Sequence, residues 1–259
     1  MAVDGTAKTG QLKHVKSILV SQPKPERSPY YELEEKYGLQ IDWRPFIHVE
    51  PVAGKEFRKQ KIKPDEYGAV ILTSKNSVDH LFRICDELRI TMPQETKYFC
   101  LTEAIALYLQ KFIVYRKRKV FIGNRKIEDL ETALKKNKKE TFLLPCSNLG
   151  AKAVCNYLDQ KGYSWQDAMM YRTVSSDLSD LSDVKYDILV FFSPLGIESL
   201  YDNFPDFEQG ETRIAVFGNS TTQAVEDRGL TVNIKAPTKE APSMTMALEK
   251  YIQLANKAN

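Results

Sequence analysis

The sequence predicts an α/β protein built as two similar parallel-sheet lobes with a cleft between them, joined by a two-stranded connector. Three observations predict it. First, one motif occurs twice: Tyr67–Val78 (YGAVILTSKNSV) is echoed by Tyr186–Ile197 (YDILVFFSPLGI), and Tyr67 and Tyr186, Ser74 and Ser193, and Leu81 and Leu200 each stand 119 residues apart. Each copy reads as a tyrosine, an apolar run of strand length, a serine and then aliphatic residues at helical spacing. That is a buried parallel strand, a turn bearing a hydroxyl, and a helix. Second, strand-like and helix-like segments alternate along the chain, as in parallel-sheet proteins. Third, too few strands follow the second copy to complete a lobe, and the strand–helix–strand of residues 17–49 would supply them. The expected domains are therefore a discontinuous one, residues 17–47 with 172–259, and an inserted one, residues 51–168. Residues 1–16 are expected to be a flexible tail. The two crossings, near residues 46–50 and 170–174, are both β-prone and form the expected connector.

The elements follow in order. Ser17–Ser21 is a short aliphatic strand closed by Gln22-Pro23-Lys24-Pro25. Ser28-Pro29 opens a helix with proline at its first position, and Gly38 ends it. Ile41–Val49 is extended. After the first copy of the motif, Tyr98–Leu101 reads as a strand, Thr102–Lys111 as a helix, Val120–Gly123 as a strand and Ile127–Lys136 as a helix. Thr141–Ser147 is a strand, and Gly150–Gly162 a helix with Val154, Tyr157 and Leu158 on one stripe. Met169–Val174 is extended, and Ser175–Asp183 is a polar link. After the second copy come the strand Ile214–Phe217, a turn at Gly218–Thr222, a helix to Gly229, the strand Thr231–Ile234 and a terminal helix, Ser243–Ala255.

Composition narrows the function. Of the 259 residues 42% are hydrophobic and 27% charged, an ordinary globular balance with no apolar run long enough for a membrane. Cys85, Cys100, Cys146 and Cys155 form no CxxC pair, so reduced thiols in a cytoplasmic protein are expected, with no metal. The net charge of +3 is too small to argue for nucleic acid. Two basic clusters, Arg116–Lys119 and Lys135–Lys139, read as a loop and a solvated helix end. RNA binding through the first of them would be betrayed by strong salt dependence.

The residues that could carry chemistry lie in the turns, because open α/β sheets bind ligands beyond the carboxyl ends of their strands. They are Ser21, Gln22 and Lys24; Ser74, Lys75 and Asn76; Ser147 and Asn148; Ser193; and Gly218, Asn219, Ser220, Thr221 and Thr222. Hydroxyls, amides and glycine at helix starts suit carboxylates or phosphates, although any one of them could be an ordinary N-cap. Dinucleotide, phosphate-loop, nucleophile-elbow and zinc-protease motifs are absent. The histidines, His14, His48 and His80, are scattered. An enzyme of this kind would work by shaping and orienting a reactive substrate.

These turns resemble the uroporphyrinogen-III synthase family over about residues 17–252. The resemblance rests on Leu143–Leu149 with the helix after it, Tyr171-Arg172-Thr173-Val174, Phe191–Gly196, and Phe217–Val225 with Gly229. The last is similar to the family's Gly-x-x-Thr-Ala-x-Ala-Leu turn. The resemblance implies two α/β domains on a two-stranded linker and a cofactor-independent lyase of tetrapyrrole biosynthesis. It implies a monomer that closes linear hydroxymethylbilane, a substrate with eight carboxylates, into a macrocycle with its last pyrrole inverted. It also implies a catalytic role for Tyr171, whose phenol would assist departure of the hydroxyl, against the plainer reading of a packed linker tyrosine. The preceding pathway enzyme is a conceivable partner; neither nucleic acid nor membrane is expected. Three departures stand out. Ser21-Gln22-Pro23 replaces Thr-Arg-Pro, Cys146 replaces an arginine, and Leu101-Thr102-Glu103-Ala104 lacks the glycine and threonine of the Gly-x-x-Thr-Ala turn. Lys24, Lys75, Lys152 and Arg172 are the cations available to compensate. The alternative is a non-catalytic two-lobed module that binds a tetrapyrrole or another polyanion.

Overall fold

The computed structural model describes residues 13–181 and 184–257. In chain order the elements are β1 (Ser17–Val20), α1 (Pro29–Tyr37), β2 (Gln40–Trp43), β3 (Ile47–Pro51), α2 (Gly54–Phe57), β4 (Ala69–Leu72), α3 (Lys75–Leu88), β5 (Lys97–Cys100), α4 (Glu103–Leu109) and β6 (Val120–Ile122). They continue with α5 (Glu131–Lys136), β7 (Phe142–Ser147), α6 (Lys152–Gln160), β8 (Trp165–Ser175), β9 (Ile188–Phe191), α7 (Pro194–Asn203), β10 (Arg213–Phe217), α8 (Asn219–Asp227), β11 (Val232–Ala236) and α9 (Met244–Lys257). Short 3-10 turns precede β4 and α5. Two compact units result: the chain up to His48 with the chain from Val174 onward, and Val49–Thr173. The points where the chain passes from one to the other fall within β3 and β8, which are neighbours in one sheet.

The discontinuous unit is a five-stranded sheet in the order β11-β10-β9-β1-β2, with every neighbouring pair parallel. Numbered within the unit, that is the doubly wound order 2-1-3-4-5. β1 shows why its strands are apolar throughout. Ile18 and Val20 pack into one core and Leu19 into the other, so both faces of the sheet are covered. Ser28 caps α1 by accepting from the Tyr30 amide, and Gly38 ends it in the left-handed conformation, φ 62°.

The inserted unit is a six-stranded sheet, β3-β8-β7-β4-β5-β6. Without the edge strand β3, its order matches the first unit with β7 and β8 in the places of β1 and β2, and β4 in that of β9. It is the same topology circularly permuted, and the repeated motif forms the central strand of each sheet. Val70 and Leu72 face one core, Ala69 and Ile71 the other.

Several expectations about elements change. The extended stretch after Ile41 is broken at Arg44–Phe46 into β2 and β3. The first turn of the Ile127 helix is 3-10, and β8 is far longer than Met169–Val174. The turns of residues 54–66 were not foreseen, being too short to show a period. Of the expected tail, residues 1–12 lie outside the described residues. Residues 13–16 do not behave as a tail, since Val15 is fully buried and the Lys16 carbonyl accepts from Gln40.

The amino end of β1 is latched by Asp187, whose Oδ2 accepts from the amides of Lys16 (2.8 Å) and Ser17 (2.9 Å). The Ser17 hydroxyl in turn accepts from the Asp187 amide. Burial opposes the charge on Asp187, but the Lys16 and Ser17 amides, with Arg213 and the Ser17 hydroxyl, outweigh it and hold the carboxyl below its usual range. A depressed folded-state pKa stabilises above the unfolded value and is lost as pH falls through the folded one. Asp187→Asn is therefore expected to cost about 2 kcal/mol in urea unfolding at pH 7. The gap from wild type should close below about pH 4, where the unfolded carboxyl protonates.

Candidate active site

In the doubly wound order the ligand crevice lies where strand order reverses, beyond the carboxyl ends. In the inserted unit that point is between β7 and β4, and three of the singled-out residues meet there. Ser147 ends β7 and lies in register with Tyr171 on β8, after a bulge between Cys146 and Ser147. The bulge has a visible result: consecutive residues Met170 and Tyr171 join the same core cluster, which an undisturbed pleat forbids. Ser74, the N-cap of α3, is hydrogen-bonded to Tyr171. Its oxygen also accepts from the Ser77 amide (3.1 Å).

Tyr171 is only 7% exposed. Burial raises its pKa above the ordinary value and the bond with Ser74 partly offsets this, so the phenol stays protonated at neutral pH. Its ring stacks on His80 at 4.8 Å and 19°. His80 Nδ1 accepts from Arg83 Nε (3.2 Å), and Arg83 also donates to the carbonyls of Val52 (2.8 Å) and Met170 (2.9 Å). Burial first, then the Arg83 charge, lower the pKa of His80 and keep it neutral. The sequence reading missed His80 and Arg83, because the only signal was their position on α3, six and nine residues past Ser74.

Other expected residues are spent on structure. Asn148 holds the chain at Thr173, accepting from its amide (2.8 Å) and donating to its carbonyl (3.3 Å). Arg172 is paired with Glu56 of α2, Lys75 sits 5.4 Å from the Tyr108 ring centre, and Lys24 5.9 Å from that of Tyr31. Cys146, in place of the arginine, is buried, and burial pushes its thiol up to about 11.

The discontinuous unit offers a different set at its own reversal, between β1 and β9. Ser21 follows β1, and a Cβ placed on Gly196 of α7 would stand 3.9 Å from its hydroxyl, so this turn and α7 adjoin. Helix starts differ after equivalent strands: those after β4 and β5 are capped and those after β9 and β10 are not, whereas α1 is capped and α6 begins at Ala151 with no side-chain cap. In the inserted unit Ser74 caps α3, and Thr102 caps α4 by accepting from Ile105 (3.4 Å). In the discontinuous unit Ser193 makes no capping bond to α7, and α8 begins at Gly218 with no side-chain cap. The first amides of α8 point outward without a partner from its own turn, an anion-suited arrangement. Asn219 and Ser220 are exposed there.

The hydroxyls of Thr221 and Thr222 require a correction, since both side chains turn inward. Thr222 donates to the Gly218 carbonyl (3.0 Å). Thr221 is 1% exposed and its Oγ1 has no partner. A buried hydroxyl without a partner costs stability. Thr221→Val is thus expected to raise stability by about 1 kcal/mol in urea unfolding and leave turnover within about twofold. A large loss of turnover would return that hydroxyl to the binding set.

The family whose sequence model matches this chain is described as uroporphyrinogen-III synthase HemD, over residues 28–246. The chain belongs to the uroporphyrinogen-III synthase family. It is 25% identical to a uroporphyrinogen-III synthase from Chlorobaculum parvum, over 92% of this chain and all of that protein. Its fold is similar to the crystal structure of uroporphyrinogen-III synthetase from Helicobacter pylori, at TM-score 0.61 and 18% identity, covering 93% of this chain and all of that one. A mutant uroporphyrinogen III synthase from Thermus thermophilus superposes at TM-score 0.56 with 16% identity, covering 93% of this chain and 100% of the other. As a family member the chain is an enzyme of tetrapyrrole biosynthesis. Among the described residues no helix is long and apolar enough to cross a membrane, and no group of three or more His, Cys, Asp or Glu is placed to hold a metal ion.

Proposed function

We propose that this family member is a cofactor-independent lyase of the cytoplasm that closes hydroxymethylbilane to uroporphyrinogen III as a monomer. What supports the chemistry is the Tyr171 phenol, which burial keeps protonated beside Ser74 and in register with Ser147 at the carboxyl end of β7. In the proposed step the pyrrole nitrogen's electron pair pushes out the hydroxyl. The C–O bond breaks, and the departing oxygen takes a hydrogen bond and then the proton from Tyr171. The substituted carbon of the last ring attacks the resulting cation, its π electrons forming the new C–C bond of a spiro intermediate. The spiro intermediate then opens and recloses with that ring inverted; the proton lost from its newly bonded carbon restores the Tyr171 phenol, and water is the only other product.

The uncapped starts of α7 and α8, with Ser193, Asn219 and Ser220, are proposed to hold substrate carboxylates. Ser147 and Ser74 are proposed to border the reacting end, beside Tyr171. Gly218 to Thr222 contribute through backbone amides more than through threonine hydroxyls. The non-catalytic alternative gains nothing from the three relatives named above, which carry the name of the synthase or synthetase. Incubation with freshly made hydroxymethylbilane, with the isomers separated after oxidation, tests the proposal, and the type I isomer alone would defeat it.

A further inference from the structure

At the opposite edge of the inserted unit's sheet lies a cavity of about 370 Å³. It opens at the amino ends of β5 and β6, beside Tyr98 and Val120, whereas Ser74, Ser147 and Tyr171 belong to the carboxyl ends. Its size falls in the range of small-molecule sites. One wall is apolar and flat: Phe82 and Phe112 stack at 4.8 Å and 12°, with Ile90, Met92 and Ile113 also lining the space. Another side is cationic. Lys119, 8% exposed, donates to the Gln94 carbonyl (2.6 Å) and pairs with Glu95 (2.8 Å). Arg116 donates to Gln94 Oε1 (3.0 Å). Both cations retain further N–H donors beyond these bonds. Thr96 also lines the cavity. It is 2% exposed, and its hydroxyl has no partner in the protein.

We infer that this cavity is a second binding site, for a small flat organic anion whose ring slides against Phe82 and Phe112 while its acidic group meets Arg116 and Lys119. The three features belong together. A ring slot alone would suit a neutral molecule, and a basic loop alone would suit any polyanion. A buried cation beside an unsatisfied hydroxyl and an aromatic stack selects a ligand with one apolar end and one anionic end. Asp86 lines the rim as well and disfavours a ligand carrying several negative charges. Arg116 and Lys119, the two ends of the basic cluster, therefore serve the pocket. The inference does not rest on the proposed cyclisation, because no residue is shared between the two sites.

The test uses 1-anilinonaphthalene-8-sulfonate and its uncharged relative N-phenyl-1-naphthylamine as probes of the full chain. Wild type is expected to bind one sulfonate probe saturably, with fluorescence enhancement and a shifted Met92 methyl signal in the NMR spectrum. Arg116→Gln should weaken the sulfonate about fivefold and leave the neutral probe unchanged. Phe112→Ala should weaken both probes about tenfold. Sulfonate binding that neither substitution alters, or a Met92 signal that does not move at saturation, would overturn the inference. Turnover of hydroxymethylbilane by Arg116→Gln should equal wild type; this keeps failure here separate from failure of the catalytic proposal.

Discussion

Replacing Gly218 with alanine is expected to lower kcat/KM about 10- to 100-fold and the melting temperature by about 5 °C. Gly218 sits at φ 89° and ψ 157°, a region that side chains enter only with strain of about 1–3 kcal/mol. Space is not the obstacle, because nothing lies within 4 Å of an added Cβ. The strain must be borne in place, which lowers stability, or relieved by turning the backbone, which re-aims the first amides of α8. Since those amides are proposed to bind carboxylates, the second route costs affinity. The matching turn of the inserted unit is a control. Thr102 caps α4 there and Ala104 is exposed, so Ala104→Val should change kcat/KM by no more than about twofold. A loss at Ala104 equal to that at Gly218 would reverse the assignment of anion binding.

Tyr171→Phe is expected to cut kcat by about 10- to 100-fold while leaving the affinity for a product analogue nearly unchanged, since only an interaction of the transition state is lost. The loss is bounded because the bilane sheds its hydroxyl unaided. Removing the phenol also removes the hydrogen bond with Ser74, at about 1 kcal/mol of stability, so rates must be compared per folded molecule. Burial raises the Tyr171 pKa, which means the wild-type rate should show no fall from its ionisation at or below about pH 10. A variant with wild-type kcat and lowered thermal stability would leave Tyr171 as a packing residue on His80.

The doubly wound units were legible because central strands buried on both faces must be apolar throughout, and the Tyr67 and Tyr186 segments are. The expectation that residues 17–49 belong with the second copy rested on strand number alone, and the permuted strand order was not foreseen. What escaped has physical causes. The bulge that turns Met170 and Tyr171 to one side leaves no trace in residue type, since both suit a strand. The Arg83–His80–Tyr171 contact joins α3 to β8 across about 90 residues of chain, and no local period reports it. Thr221 and Ser220 look alike as sequence, yet adjacent positions on a helix lie about 100° apart, which buries one and exposes the other. Arg172 was read as a free cation because Glu56 lies in a helix of four residues, too short to predict.

The central claim is that this chain, by itself, directs hydroxymethylbilane to the inverted isomer. The direct measurement mixes freshly generated hydroxymethylbilane with increasing amounts of the protein, oxidises the products and resolves the type III from the type I porphyrin. The account predicts that the type III fraction rises with protein concentration until the spontaneous type I product is suppressed, and that dialysis against a chelator changes nothing. Type I product alone, appearing at the same rate with and without the protein, would contradict it.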